Sequence, residues 1–286
     1  MLNRLDMSPT ELKRKAITIR QHVVKMISDR GKGHTGPALS MVEIATALYF
    51  GVLHVDPENP KHPERDRFLL SKGHACTTLY ASLAERGFFP VSRLDEYYRL
   101  DSLLGGHPVS GLPGIEASTG SLGHGLPMAA GMAMAGKLDR RKHRVFTVLG
   151  DGETQEGSVW EAAMAAAHYK LDNLIAIIDR NGLEIDGPTE MIMALEPFHL
   201  KWESFGWDVR MVNGHDIVAL IQTLRSVPFS PGKPSVVIAK TVKGKGIDFI
   251  ENRKEWHHRA PDPKQAEEAF RQLQTQMASL DKGVES

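Results

Sequence analysis

The sequence predicts an α/β fold built on a mainly parallel sheet with helices on both faces. Three observations carry that expectation. Apolar runs at 145–149 and 174–178 are short and continuous and read as buried strands, and 207–212 and 235–239 make two more strands. Helical segments alternate with strands along the chain, the order that gives a parallel sheet. The first two of these runs stop at Gly150-Asp151-Gly152 and Asp179-Arg180-Asn181-Gly182, and such sheets bind ligands at the carboxyl ends of their strands.

Each element follows from local signals. Ser8-Pro9-Thr10-Glu11 starts a helix, and Leu12, Ala16, Ile19, Val23 and Ile27 continue it until Gly31 and Gly33. A second helix is expected from Met41 to about Gly51, after a Gly36-Pro37 turn. Charged, Pro-rich residues 56–67 form a loop, 68–70 a short buried strand ending at Ser71-Lys72-Gly73-His74, and 75–86 a helix. Residues 103–125 (LLGGHPVSGLPGIEASTGSLGHG) are a long irregular stretch whose apolar content favours an ordered, functional loop. A helix of small residues is expected over 127–137 and another over 158–169. Residues 264–286 read as a charged helix fraying into a tail, so one domain spans 1–286.

Composition narrows the function. The 286 residues hold 35 Lys plus Arg against 35 Asp plus Glu, which argues against a nucleic-acid binder working by phosphate neutralisation. No apolar run is long enough to span a membrane, and the first 20 residues lack the apolar stretch of a secretory leader. A lone cysteine, Cys76, forms no internal disulfide or zinc cluster and fits a reducing, cytoplasmic setting. Histidines number 13, several beside glycines.

The strongest chemical signal is GDGETQEG (150–157) with IIDRNGLEIDG (177–187). Each follows a strand, so Asp151 and Asn181 are brought together at neighbouring strand ends. Their carboxylate and amide oxygens are hard ligands suited to Mg2+ or Ca2+, with phosphate oxygens and water completing the shell. Gly152 lets backbone approach a phosphate, and the helix that follows offers N–H donors. Gly31-Lys32-Gly33-His34-Thr35-Gly36 also spells a dinucleotide fingerprint, but it follows a helix rather than a strand, so a nicotinamide site is not expected.

This spacing resembles the thiamine-diphosphate motif, and the finer resemblance is to transketolases. GKGHTGPALS (31–40), SKGHA (71–75), GGHP (105–108), TGSLGHG (119–125) and KTVKGKG (240–246) with Glu255-Trp256-His257 follow in the family's order. The resemblance implies a thiamine-diphosphate-binding fold, here its diphosphate-binding domain. It implies a metal held by Asp151, Asn181 and the Leu183 carbonyl. Thiamine diphosphate would be met by His74, Gly120, Ser121, Leu122, Gly152, Glu156, Asn181, Lys243 and His257. Glu156 matches the glutamate at the contact between cofactor sites. The catalytic histidines would be His34 and His257 at the donor hydroxyl, with His107 on hydroxyls near the donor carbonyl. Imidazole suits both halves of that proton traffic. His257 rather than His258 matches the motif, and His124 stands where larger members carry glutamine.

The resemblance also implies a missing half. The surface that holds the aminopyrimidine, with its glutamate, is expected from a separate C-terminal subunit, in an α2β2 assembly acting on sugar phosphates. The implied reaction is transfer of a two-carbon ketol unit from a ketose phosphate to an aldose. The alternatives are the alpha subunit of a 2-oxo-acid dehydrogenase, a deoxyxylulose-phosphate-synthase type of enzyme, and a non-catalytic binding protein derived from the fold.

Overall fold

A computed structural model describes residue 2 and residues 4–282. Its centre is a five-stranded, wholly parallel sheet: β1 (Arg67–Leu70), β2 (Val145–Gly150), β3 (Leu174–Arg180), β4 (Asp208–Asn213) and β5 (Ser235–Lys240), in spatial order β1-β2-β3-β5-β4. The inner strands β2, β3 and β5 are buried on both faces, which is why they read as unbroken apolar runs. The edge strand β4 carries exposed Arg210 and Met211.

Helices cover both faces. The chain adds α1 (Pro9–Arg30), α2 (Thr35–Ser40), α3 (Val42–Ala47), α4 (Cys76–Arg86), α5 (Gly125–Leu138), α6 (Gly157–His168), α7 (Thr189–Ile192), α8 (Phe198–Ser204), α9 (Ile217–Arg225) and α10 (Pro263–Asp281). Alternate strand residues feed two cores. Phe68, Phe146, Ile175 and Val237 join one with α1, α3, α4, α9 and α10. Leu69, Val145, Leu174 and Val236 join the other with α5, α6 and α8.

α1 starts as its sequence predicts. Ser8 and Glu11 form a reciprocal capping box, Pro9 stands in the first turn, and Gly31 closes the helix at φ 62°. The second helix differs from expectation. It begins at Thr35, so Gly36 and Pro37 lie inside its first turn, where a missing N–H costs nothing. It breaks at Met41 and ends in a wide turn, Leu48–Val52. There Gly51 leaves room for Ile221 of α9; a Cβ would lie 2.5 Å from the Ile221 side chain. Residues 264–281 form most of α10, which buries Ala266, Ala269 and Leu273. α5 likewise buries Ala129, Ala130 and Ala133.

Register sets the position of the site. Gly150 of β2 pairs with Asp179 of β3, and Arg180 of β3 with Lys240 of β5. Residues 151, 181 and 241 therefore leave the sheet at one level. Leu70 of β1 pairs with Val148, which brings 71–74 to the same edge.

Candidate active site

At this carboxyl edge lies a cleft of ≈ 410 Å³. Every residue expected in the site except Ser121 lines it: His34, His74, His107, Gly120, Leu122, Asp151, Gly152, Glu156, Asn181, Leu183, Lys243 and His257. Ser121 is exposed, its hydroxyl 3.4 Å from Nδ1 of His124. A more voluminous groove, ≈ 690 Å³, lies between the end of α1 and α10 and contains none of these groups.

Asp151 is 2% exposed. Its Oδ1 accepts from the Gly152 amide at 2.9 Å, and its Oδ2 from the Gly182 amide at 2.6 Å and Arg180 Nη1 at 3.1 Å. Burial raises its pKa, and the Gly182 hydrogen bond opposes that rise. The Asn181 Oδ1 accepts from the Leu183 amide at 3.1 Å. The Leu183 carbonyl accepts from Nζ of Lys243 at 2.7 Å. One carboxylate, one amide and one carbonyl thus line one cleft, an all-oxygen set, with an ammonium seated on the carbonyl. That chemistry fits a hard divalent cation whose remaining ligands are phosphate and water. Gly152 is closely covered: a Cβ there would fall 2.7 Å from Glu184 Cγ.

The histidines converge from four separate segments. The His34 ring centroid is 4.4 Å from that of His258, 5.1 Å from His74, 5.9 Å from His257 and 6.1 Å from His107. His74 and His257 stack at 5.2 Å. His107 is held by its own backbone: its carbonyl accepts from the Tyr80 hydroxyl at 2.8 Å. Gly120 packs under its ring at φ 155°, where a Cβ would lie 3.1 Å from the imidazole.

Burial and neighbouring cations keep these rings uncharged. Burial, then His258 and His107, lower His34 to about 4. Burial, then Lys243 and His34, lower His257 to about 2. Burial and Lys72 push His74 well down, and burial lowers His107. Lys243 falls to about 8, through burial first and Lys72 second. At neutral pH His34, His74, His107 and His257 therefore act as neutral donors and acceptors beside the Lys243 ammonium. His257 accepts from Lys243 Nζ at 2.8 Å through Nδ1, which places its proton on Nε2.

Among the lining residues that escape sequence reasoning are two buried charges. Lys72, 1% exposed, lines the cleft and pairs with Asp179. Glu153, 4% exposed, accepts from the Gly123 and Gly150 amides, each at 3.0 Å, and from the Ser71 hydroxyl. It ties the 119–125 loop to the end of β2. Both stand inside quoted motifs, Lys72 two residues from His74 and Glu153 two from Asp151. His258, set aside in favour of His257, has the ring nearest to His34. His124 caps α5, its Nδ1 3.1 Å from the Leu122 carbonyl.

Comparison with known proteins matches this arrangement to one group. The family described as transketolase, thiamine diphosphate binding domain, matches residues 12–277. The apulose-4-phosphate transketolase subunit of Actinobacillus succinogenes is 47% identical over 274 residues, covering 95% of this chain and 99% of its own. Its namesake from Phocaeicola vulgatus is 44% identical over 92% of this chain and 94% of its own. The 6-deoxy-6-sulfo-D-fructose transketolase subunit SqwG of Clostridium sp. is 42% identical over 87% and 90%. Among solved structures, the transketolase of Campylobacter jejuni superposes with a TM-score of 0.88 at 30% identity, over 97% of this chain and 46% of that one. The chain thus spans a little under half the length of that solved transketolase.

Proposed function

The chain belongs to the transketolase family as a thiamine-diphosphate-binding domain, and on that premise we propose that it is the N-terminal subunit of a two-chain transketolase. It transfers a two-carbon ketol unit from a ketose phosphate to an aldose, together with a C-terminal subunit that supplies the pyrimidine-binding glutamate. Relatives that are themselves named as transketolase subunits, matched over nearly their whole length, support the partner. The assembly is read as α2β2, and residues 1–286 as a single diphosphate- and metal-binding domain. The reading that it is part of a 2-oxo-acid dehydrogenase or a deoxyxylulose-phosphate synthase lacks support from these relatives.

The observation that carries the proposal is the meeting of an oxygen-donor cluster with uncharged imidazoles at one sheet edge. Asp151, Asn181 and the Leu183 carbonyl hold the metal, which we read as Mg2+ because a single carboxylate plus phosphate oxygens suits it better than Ca2+. His74, Gly120, Leu122, Gly152, Glu156 and Lys243, which line the cleft, face the cofactor; Ser121 does not. Thiamine diphosphate, when bound, supplies the carbon nucleophile and electron sink for breaking and remaking the carbon–carbon bond. The chain positions the sugar and moves its protons. With Nδ1 of His257 engaged by Lys243, that ring presents an N–H and first donates to a substrate oxygen. His34, uncharged and free of that constraint, accepts the donor hydroxyl proton. His107 holds hydroxyls near the donor carbonyl.

Among the described residues no helix is long and apolar enough to cross a membrane. Cys76 is buried, its thiol pushed up to about 12 by burial, and we place the protein in the reducing cytoplasm.

Co-purification of the tagged chain from its host, followed by assay, tests the proposal. The expected result is a stoichiometric partner and Mg2+- and thiamine-diphosphate-dependent ketol transfer. The donor panel includes ordinary ketose phosphates and the apulose 4-phosphate and 6-deoxy-6-sulfofructose named for relatives. Turnover of pyruvate without any ketose would overturn the reading.

A further inference from the structure

We propose that an Arg20–Glu43–His215 chain, buried at Arg20 and Glu43, is the positioning device for Lys243 and, through it, for His257. The inference rests on the reading that Lys243 belongs to the working site. His215 lies between β4 and α9, outside the cleft, and its sequence context marks it only as a loop histidine.

The geometry runs in one direction. Val242, directly before Lys243, donates its amide to Nε2 of His215 at 2.8 Å. An amide only donates, so Nε2 carries the lone pair and Nδ1 the proton. Nδ1 then donates to Oε2 of Glu43 at 3.0 Å. The other oxygen of Glu43 takes Nη2 of Arg20, and Nε of Arg20 donates at 2.9 Å to the carbonyl of Lys245. The chain thus leaves the segment at residue 242 and returns to it at residue 245, gripping both sides of Lys243.

The surroundings are shaped for this grip. Gly246 stands at φ 97°, and a Cβ there would lie 2.7 Å from Nε of Arg20. Gly214, beside His215, would meet Thr241 at 2.4 Å if it bore a Cβ. Glu43 belongs to α3, whose other residues are apolar or fully buried: Val42, Ile44, Ala45, Thr46 and Ala47. A carboxylate in such a helix costs stability relative to a packed apolar side chain. Its placement is explained by what it orients.

What it orients is narrow in tolerance. Nζ of Lys243 sits 2.7 Å from the Leu183 carbonyl and 2.8 Å from Nδ1 of His257. A displacement of about 1 Å breaks both contacts, and misplacement of that size costs on the order of 100-fold in rate. His215 and Arg20 do not line the cleft; they act through the backbone of 242–245.

Two measurements test the claim. The first is hydrogen exchange on the full chain alone, with no partner or cofactor. His215→Ala is expected to raise exchange at amides 242–246 and leave β2 and β3 protected. The second is a kinetic cycle in the assembled complex. His215→Ala is expected to lower kcat about 10- to 100-fold with KM nearly unchanged, and His215→Gln, which keeps a donor and an acceptor, to recover part of the loss. Adding His215→Ala to Lys243→Met is expected to slow the enzyme by less than about threefold further, because both changes remove one function. Unchanged exchange at 242–246, or losses that multiply in the double variant, would overturn the proposal. Should His215→Ala fail to fold, Arg20→Lys, which cannot reach Glu43 and the Lys245 carbonyl together, carries the same two measurements. If the wild-type complex shows no ketol transfer, the functional reading fails while the exchange result still decides the positioning claim.

Discussion

Lys72 and Asp179 form an ion pair at the wall of the cleft, Nζ to Oδ2 2.5 Å, with side chains 1% and 0% exposed. Asp179 also accepts from the Ser40 hydroxyl at 2.5 Å and from the Thr241 hydroxyl, while Lys72 donates to the Pro37 carbonyl at 3.0 Å. The pair therefore clamps α2, the end of β1 and the end of β5 to β3. Burial raises the Asp179 pKa, but Lys72 and the hydroxyls outweigh it and hold the carboxyl below its ordinary range. Removing one partner strands a buried charge. Lys72→Met or Asp179→Leu is expected to cost about 3–5 kcal/mol in urea denaturation, and the double replacement to recover most of it. A double variant as unstable as the worse single one would contradict the pairing.

Asp151 carries the sharpest test of the metal assignment. It is the single carboxylate of the proposed ligand set. Asp151→Ala is expected to weaken Mg2+-dependent thiamine diphosphate binding by about 100-fold or more, read by calorimetry on the assembled complex, since even outer partners of metal ligands are worth about 10- to 100-fold. Binding unchanged from wild type would remove the metal from this position.

Glu153 acts one layer back from the cofactor. Its carboxylate accepts three hydrogen bonds, two from backbone amides. Glutamine offers a single acceptor oxygen and turns an NH₂ toward an N–H. Glu153→Gln is expected to lose about 2–3 kcal/mol, in line with hydrogen bonds to charged groups. Loosening of the 119–125 loop is expected to raise the thiamine diphosphate Kd about tenfold, as for other outer-layer changes. A normal Kd with lowered stability would make Glu153 a fold residue alone.

The sequence exposed the parts of this protein written in local pattern. Strands β2, β3 and β5 are legible because doubly buried strands are continuous apolar runs, the first two ended by Gly, Asp and Asn. The site histidines are legible through their glycine-rich motifs. α9 is absent from the expectations although Asp216 caps it and Ile217, Leu220, Ile221 and Leu224 bury its inner face at helical spacing. Its nine residues are short, and strand signals stand on both sides. α2 was hidden by Gly36-Pro37, which reads as a turn unless the first helical turn is considered. Lys72, Glu153 and Glu43 could not be found from pattern, because a charged residue is expected in solvent. Their partners lie 107, 82 and 23 residues away along the chain. Long-range pairing of that kind appears only once the sheet has assembled.

Glu43 gives the fold a measurable dependence on acid. Burial alone would raise its pKa, but the Arg20 guanidinium and then the His215 hydrogen bond outweigh it and hold it at about 2, against an ordinary 4.5. A carboxyl depressed on folding stabilises the protein fully above its unfolded pKa. That contribution is lost as pH falls from about 4.5 through about 2. Its size is on the order of 3 kcal/mol, at about 1.36 kcal/mol for each pH unit between the two values. Glu43→Gln imitates the protonated form at every pH. Urea denaturation at pH 7 is expected to show the variant less stable by that amount, and the gap to narrow steadily below pH 4.5. The slope identifies the group: if wild type and variant lose stability in parallel between pH 5 and pH 3, the acid-sensitive carboxyl is not Glu43, and Arg20 and His215 stabilise its charge less than their contacts imply.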